Sequence, residues 1–164
     1  MKKLCAGLFA LALLFGTADL AHGQVSLGPE ISIADNVDFG IGAVLEAALG
    51  SLDPNLEMAA RFTLYFPDGI DYWELNGDLR YLFPLTDQNQ IIPYVLGGIA
   101  IGHASYDGDR PGLEVNGGNT EVGVRLGGGL KFPMDRITPF AELGLGVGDI
   151  PDFSLRGGLT FPMR

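Results

Sequence analysis

Apolar and polar residues alternate with a period of two along most of the chain after its N-terminal segment. The clearest run is LEMAARFTLYF, whose apolar positions share one face of an extended chain: Leu56, Met58, Ala60, Phe62, Leu64 and Phe66. Successive side chains of a β-strand point to opposite faces, so this alternation predicts a strand with one apolar face. The same pattern recurs in YWELNGDLRYLF and in the segments 122–132 and 153–161.

Four less regular runs complete the set of strands. They cover residues 25–33, 37–49, 91–105 and 137–148, so eight strands of about ten residues, joined by turns, fill the chain. No segment between strands is long enough for a crossover helix, and sequential strands must therefore pair as antiparallel hairpins. Eight strands linked in this way close into a barrel. The predicted fold is all-β, an eight-stranded antiparallel up-and-down β-barrel.

One connection is longer than the others. The segment YDGDRPGLEVNGGN begins at Tyr106 and ends at Asn119, and it is polar and rich in glycine. It falls at the end that a barrel entering a membrane from the periplasm points outward, where long loops are typical. The sequence therefore predicts an exposed loop here, and this loop is the predicted contact with an extracellular ligand.

Alternation by itself does not say which face meets water. A soluble barrel of the lipocalin kind turns its apolar face inward around a ligand, whereas a membrane barrel turns it outward against lipid. Here the polar face is mostly glycine with a few acids and arginines, which suits a narrow lumen. The apolar face carries Leu, Ile, Val and Phe almost without interruption, which lipid tolerates. Both features favour a transmembrane β-barrel.

Aromatic residues concentrate at the strand ends. Four strands close on Phe-Pro, in LYFP, YLFP, LKFP and LTFP, and proline marks a strand end because it has no amide hydrogen for the sheet. The aromatic residues of the apolar face form two predicted girdles, one with Phe39, Phe66, Trp73 and Phe153, the other with Phe83, Phe132 and Phe161. Aromatic girdles are typical of the two interfaces of a membrane barrel.

The first 23 residues have the features of a secretory signal peptide. Lys2 and Lys3 precede an apolar run at residues 8–15, and small residues at Ala21 and Gly23 suit a signal-peptidase site. We expect residues 1–23 to be removed and residues 24–164 to form a single barrel domain. Cys5 is the only cysteine, so the exported domain has no disulfide to stabilise it.

Composition narrows the classes of partner. The chain has 20 acidic against 10 basic residues, which excludes nucleic acid as a partner. Of its two histidines, one lies in the signal segment, and no metal-binding or phosphate-binding motif is visible. Asp107, Asp109 and Glu114 of the long loop are interpreted as a solvated acidic loop. The sequence predicts no cofactor.

Several segments resemble those of a known family. YWELNGDLRYLFP, IPYVLGGIAIG and ITPFAELGLGVG, together with the signal peptide and the eight alternating strands, are similar to the small outer-membrane β-barrel family that includes the OmpA transmembrane domain and OmpX. The resemblance implies a bacterial outer-membrane location, lipid and lipopolysaccharide as surroundings, and insertion by the barrel-assembly machinery. Members usually end on an aromatic residue, whereas three residues follow Phe161 here. A structural or surface-interaction role is the implied function.

Charged residues of the inward-facing set form a second candidate site. They are Glu57, Arg61, Glu74, Asp78, Arg80, Arg125, Lys131, Glu142 and Arg156. A lumen of eight strands holds little more than side chains, and buried charges must pair. We predict that these residues form a salt-bridge network that plugs the barrel. The alternative is a small, porin-like ion pathway.

The motif GHASYD suggests the principal enzymatic alternative. His103 and Ser105 share the parity of the lipid-facing residues, and His-x-Ser at this place is similar to the lipid A deacylase family of eight-stranded barrels. Glu121 or Glu114 would supply the third catalytic group. A lipid A-modifying barrel enzyme is therefore the second functional reading, and a secreted soluble barrel that binds an apolar ligand is the third.

Overall fold

The computed structural model describes residues 25–67, 71–85, 91–110 and 113–163, and for residues 106–110 and 113–117 it describes the backbone alone. These residues form eight strands: β1 (Val25–Ala34), β2 (Asp38–Ala48), β3 (Leu56–Tyr65), β4 (Asp71–Leu82), β5 (Ile92–Arg110), β6 (Leu113–Lys131), β7 (Thr138–Gly148) and β8 (Phe153–Met163). No helix among the described residues has the length and hydropathy that a membrane crossing requires. Residues 1–23, the predicted signal peptide, lie outside the described part.

The strands form one closed antiparallel barrel in chain order. Each strand pairs with its sequence neighbours, and β1 pairs with β8 through positions such as Leu27↔Phe161 and Ile33↔Leu155. Closure gives every strand two partners and leaves no free sheet edge in the barrel wall. The all-β, eight-stranded, up-and-down barrel predicted from the sequence is confirmed.

The two ends of the barrel carry different connections. The turns β1–β2, β3–β4, β5–β6 and β7–β8 lie at what we call the upper end, and the turns β2–β3, β4–β5 and β6–β7 lie at the lower end, beside Val25 and Met163. At the upper end, Asn36 and Asp38 adopt left-handed backbone conformations, with φ of 66° and 58°, which close the short β1–β2 turn. Asn and Asp tolerate this conformation better than most residues.

The prediction of an exposed loop from Tyr106 to Asn119 is wrong about how far that loop extends. Strands β5 and β6 run through most of it, and their pairing continues from Ile92↔Lys131 to Arg110↔Leu113. A ladder of backbone hydrogen bonds needs a partner strand but no apolar alternation, so it persists where Asp and Gly obscure the sequence pattern. A long hairpin therefore extends from the upper end in place of a loop.

The two faces of the sheet separate apolar and charged residues. Outward-pointing side chains such as Ile33 and Val147 are 55% and 65% exposed, whereas the inward-pointing Arg61 is 0% exposed. The alternation read from the sequence therefore assigned the faces correctly. The barrel has an apolar outer wall and a charged interior.

Candidate functional site

The carboxylate of Glu142 on β7 is the hub of the barrel interior. Arg61 on β3 contacts both of its oxygens, with Nη1 donating to Oε1 and Nη2 donating to Oε2 at 2.7 Å. Arg80 and Arg125 donate to the same carboxylate at 3.1 and 3.2 Å, and the Tyr94 hydroxyl donates to it at 2.8 Å. One carboxylate does not balance three guanidinium groups, so further acids must lie nearby.

Two of these further acids lie on β4 and β1. Asp78 Oδ2 lies 3.4 Å from Nη1 of Arg61 and 3.3 Å from Nη1 of Arg125, so it bridges two of the arginines. Glu30 Oε2 lies 3.4 Å from Nε of Arg61, and its other oxygen accepts a hydrogen bond from Thr63 at 3.0 Å. Each arginine of the hub thus has a second anionic partner.

The lower part of the interior holds a second group of ion pairs. Lys131 on β6 places Nζ 2.9 Å from Glu46 and 2.6 Å from Glu57. Arg80 also pairs with Glu46, and it lies 3.1 Å from Glu57. Its guanidinium carbon stands 5.0 Å from the ring centroid of Tyr94, within the range of a cation–π contact. Arg80 therefore joins this group to the hub.

The upper part of the interior is organised around Arg156 on β8. Its Nη2 donates to Glu74 at 2.5 Å, and the same oxygen of Glu74 accepts a hydrogen bond from Asn76 at 2.7 Å. The Tyr65 hydroxyl lies 3.5 Å from Arg156 and 2.9 Å from the Ser32 hydroxyl. This layer separates the hub from the upper mouth of the barrel.

The nine charged residues that the sequence analysis assigned to the lumen all point into the interior and make ion pairs there. Two acids of the same network, Glu30 and Glu46, were missed. Both are buried, and both lie on the inward face of their strands, Glu30 on the same face as Gly28 and Glu46 on the same face as Gly42. On β1 the signal was clear, because the outward apolar residues Leu27, Ile31 and Ile33 put Glu30 on the inward face; on β2, glycine and alanine occur on both faces and obscure it.

The network almost balances its charge. The carboxylates are Glu30, Glu46, Glu57, Glu74, Asp78 and Glu142, and the cations are Arg61, Arg80, Arg125, Lys131 and Arg156. Buried ions are tolerated only when they are paired and hydrogen-bonded, and removing one partner typically costs about 3–5 kcal/mol. The interior is thus a cross-linked polar core that joins the strands around the barrel.

Above the network, side chains from the turns cover the upper mouth. Val37 of the β1–β2 turn and Ile150 of the β7–β8 turn are buried there, and Val37 packs with Tyr65 and Tyr72. A Cβ atom at Gly123 would lie 2.6 Å from Cγ1 of Ile150, so this glycine makes room for the turn to fold inward. A cavity of about 240 Å³ remains between these groups.

The predicted aromatic girdles lie at the two ends of the outer wall. Phe39, Phe66, Trp73 and Phe153 are at the upper end, and Phe83, Phe132 and Phe161 are at the lower end. Within them, Trp73 packs on Phe62 with ring centroids 6.0 Å apart, and Phe83 packs on Tyr81 at 5.2 Å. Most of these rings are exposed, so the outer wall has an aromatic rim at each end.

Among the described candidate catalytic residues, His103, Ser105 and Glu121 do not converge. His103 faces outward, its Nδ1 lies 3.1 Å from Oγ1 of Thr120, and its ring packs on Trp73 with centroids 5.5 Å apart. Ser105 lies two residues from His103 and therefore on the same, outward face of β5. Glu121 pairs with Gly102 and lies on the inward face. A carboxylate on the opposite side of the sheet does not orient the His103 ring as a triad requires.

The described side chains include no group of three or more His, Cys, Asp or Glu residues suited to a metal ion. The side chains of Asp107, Asp109 and Glu114 lie outside the described part of the structure. The chemistry of the described sites is therefore that of ion pairs, hydroxyls and carboxylates.

Scans against protein-family models and against curated proteins gave no match. Solved structures did match. The N-terminal β-barrel domain of OprF from Pseudomonas aeruginosa aligns with 87% of this chain and 100% of its own length, at a TM-score of 0.61 and 19% identity. Neisserial surface protein A aligns with 86% of this chain and 96% of its own length, at a TM-score of 0.59 and 13% identity.

Ail, the attachment invasion locus protein of Yersinia pestis, aligns with 86% of this chain and 97% of its own length, at a TM-score of 0.59 and 16% identity. Like the two preceding proteins, it is a small eight-stranded outer-membrane barrel. At identities this low, the structural likeness concerns the fold alone. It agrees with the strand count, strand order and closure described above. The chain has the fold of the small eight-stranded outer-membrane β-barrels.

Proposed function

We propose that this protein is an outer-membrane β-barrel of structural or surface-interaction type, whose lumen is plugged by its charged network. One observation carries the proposal: the apolar side chains cover the outside of the barrel, and the ionised side chains fill the inside. In water this arrangement would be unfavourable, because each large apolar side chain left exposed forgoes about 1.5–3 kcal/mol of burial. In lipid the same wall is solvated.

The dimensions of the outer wall support a membrane location. Strands such as β1 and β4 have 10 and 12 residues. At about 3.3 Å per residue and a tilt of about 40°, such strands span roughly 25–30 Å, which matches the apolar band of an outer-membrane barrel. The aromatic girdles lie at the ends of this span. Lipid and lipopolysaccharide are then the surroundings, and the barrel-assembly machinery is the partner for insertion.

The plugged lumen supports a structural or binding role over transport. The ion pairs of the hub cross the barrel from β3 to β7 and from β6 to β4. An ion that passes through would have to displace paired charges from one another, which is costly in a narrow interior. A protein of this kind acts through its outer wall and its exposed end.

The test combines cell fractionation with gel mobility. Mature protein folded in detergent is run on SDS gels boiled and unboiled, and native protein is followed through outer-membrane and soluble fractions. We expect a boiling-dependent shift and an outer-membrane location, because a closed barrel resists SDS until it is heated. A protein that stays soluble without detergent and shows no shift would overturn the proposal.

The proposal includes export and processing. Residues 1–23 would be cleaved as a signal peptide, so that the mature barrel begins at Gln24. Intact-mass measurement of the membrane protein checks this directly. A mass that retains the first 23 residues would contradict it.

The upper end is the proposed interaction surface. The β5–β6 hairpin, which includes the segment from Tyr106 to Asn119, extends about five residues beyond the level where Asp71 of β4 pairs with Ser105, and this is roughly 16 Å of additional strand. One neighbour, Ail, has been solved in complex with the heparin analogue sucrose octasulfate. The exposed Asp38, Asp149 and Asp152 would repel such a polyanion here, so the proposed ligand is of another charge class.

A further inference from the structure

We propose that the cavity at the upper mouth of the barrel binds an organic ammonium group, of the kind that a polyamine or a lysine side chain carries. The inference rests on the proposed function, since it names the class of ligand that the exposed end takes. It is carried by the juxtaposition of a buried hydroxyl that makes no hydrogen bond of standard geometry, flanking carboxylates and apolar covering groups in one small cavity.

The cavity lies between the turns and the interior network. Its volume is about 240 Å³, and its lining includes Tyr72, Glu121 and Asp149 as polar side chains and Val37, Ala104 and Ile150 as apolar ones. The ring of Tyr72 lies across Gly102, where a Cβ atom would approach Cζ of the tyrosine to 2.8 Å. Glycine at that position thus lets the phenol lie flat beneath the cavity.

The hydroxyl of Tyr72 points to a ligand. The residue is 4% exposed, and its oxygen makes no hydrogen bond of standard geometry to any described residue. Glu121 lies close enough to accept a longer hydrogen bond from it, but a buried hydroxyl is normally bonded at standard geometry, so this pair has room for a donor between its oxygens. The carboxylates of Glu74 and Glu121 near the hydroxyl favour a hydrogen-bond donor with positive charge and disfavour an anion.

The charge of the upper end favours the same ligand. Its described acids are Asp35, Asp38, Asp71, Glu121, Asp149 and Asp152, and among the described side chains no lysine or arginine lies at that rim. The nearest guanidinium below, Arg156, is paired with Glu74 at 2.5 Å. An opening lined by charges of one sign concentrates solutes of the opposite charge and speeds their association.

The apolar covering favours an organic cation over a bare metal ion. No three carboxylates or other metal ligands converge among the described residues, and Val37 and Ile150 offer methyl groups in place of further oxygens. An alkylammonium group suits this lining: its three N–H bonds reach the hydroxyl and a carboxylate, and its methylenes pack on the apolar groups.

Titration of the detergent-folded barrel tests the inference. Spermidine and trilysine are added separately at low salt, and binding is followed by calorimetry and by the NMR signals of Tyr72. We expect at least one probe to saturate. Saturation by spermidine alone identifies a small polyamine as the source of the ammonium group, and saturation by trilysine alone identifies a peptide. If neither probe saturates by about 10 mM, the inference is wrong.

Matched variants separate the cavity from general charge attraction. Tyr72→Phe removes only the hydroxyl and Glu121→Gln removes only a charge, and each should weaken binding about tenfold, because a hydrogen bond to a charged group contributes about that factor. Asp135→Asn makes the same charge change at the lower end and should leave binding unaltered. Equal binding by wild type and all three variants would overturn the cavity as the site.

The gel-mobility shift, measured on each variant, shows whether it is folded. A barrel that keeps its shift and its outer-membrane location but binds no amine would refute the ammonium site and leave the proposed function intact. Loss of the shift in the wild-type protein would instead refute the barrel proposal itself.

Discussion

At the scale of single residues, the interior depends on a few carboxylates that each hold more than one cation. Glu142 contacts three arginines and a tyrosine, while Glu57, nearer the lower end, contacts Lys131 and Arg80 and is partly open to solvent. A buried ion that loses its partner keeps its desolvation cost without its attraction. The two glutamates should therefore respond differently to the same substitution.

Replacing Glu142 by Gln should lower the free energy of unfolding by about 3–5 kcal/mol, because it leaves three buried guanidinium groups short of an anion. Glu57→Gln is the matched control and should cost less, since solvent can reach that end of the network. Urea unfolding in detergent, followed by the fluorescence of Trp73, measures both. Equal losses for the two variants would contradict the hub role of Glu142.

Residue-level prediction from the sequence worked where a strand alternates cleanly. Arg61, Glu74 and Arg80 lie on strands with large apolar residues at every second position, so their inward orientation could be read directly. Glu46 lies among glycines and alanines, which fit either face and carry no periodic signal, whereas the inward orientation of Glu30 could have been read from Leu27, Ile31 and Ile33. The choice of partner for each charge could not be predicted, because it depends on the register between strands.

At the scale of elements, each strand has an outward apolar face and an inward polar face, and in the proposed outer-membrane setting the position along the strand sets how deep a residue lies in the bilayer. On β7, Leu143 is near the middle of the strand and Val147 is near its upper end, and both are more than half exposed on the outer wall. These two positions share a strand and a face and differ chiefly in depth.

Leu143→Arg should lower the free energy of unfolding in lipid by about 2–4 kcal/mol, whereas Val147→Arg should cost about 0–1 kcal/mol, because a charge near the interface reaches water. Unfolding of the two variants in lipid vesicles gives the comparison. Similar small losses for both would indicate that the outer wall faces water.

The β5–β6 hairpin is the element that the sequence did not predict correctly. Its pairing beyond Ser105 should protect those backbone amides of residues 106–110 that donate to β6, every second one, from hydrogen exchange more strongly than the amides of Gly50 and Ser51 in the β2–β3 turn, because a ladder bond must break before exchange. Exchange measured by NMR on the detergent-folded protein checks this. Equally fast exchange in both segments would show that the region is the open loop that its composition suggested.

At the scale of the whole molecule, the network and the covering turns close the lumen at more than one level. Purified protein in planar bilayers should therefore show no steady ohmic conductance, since an ion passing through would have to separate paired charges of the network. Protein from the unboiled, shifted gel band is used, so that only folded barrels are recorded. Steady conductance well above background would favour the porin-like alternative.

The overall architecture was predictable because a period of two over eight runs, without room for helices, allows few topologies. Three features could not be predicted: the length of the β5–β6 hairpin, the inward packing of Ile150 and the cavity at the upper mouth. They depend on backbone pairing and turn geometry outside the alternating segments. Sequence pattern therefore identified the wall of the barrel better than its exposed end.

The pairing of β1 with β8 also constrains how the chain reaches its folded state. Half of the backbone donors and acceptors of β1 have no partner until β8 is in place, although more than a hundred residues separate Ile33 from Leu155. Contacts of such long sequence separation form slowly, and unpaired strand edges invite aggregation meanwhile. The barrel can therefore close only when its last strand is present, and until then the unpaired edge of β1 must be kept from pairing with other chains.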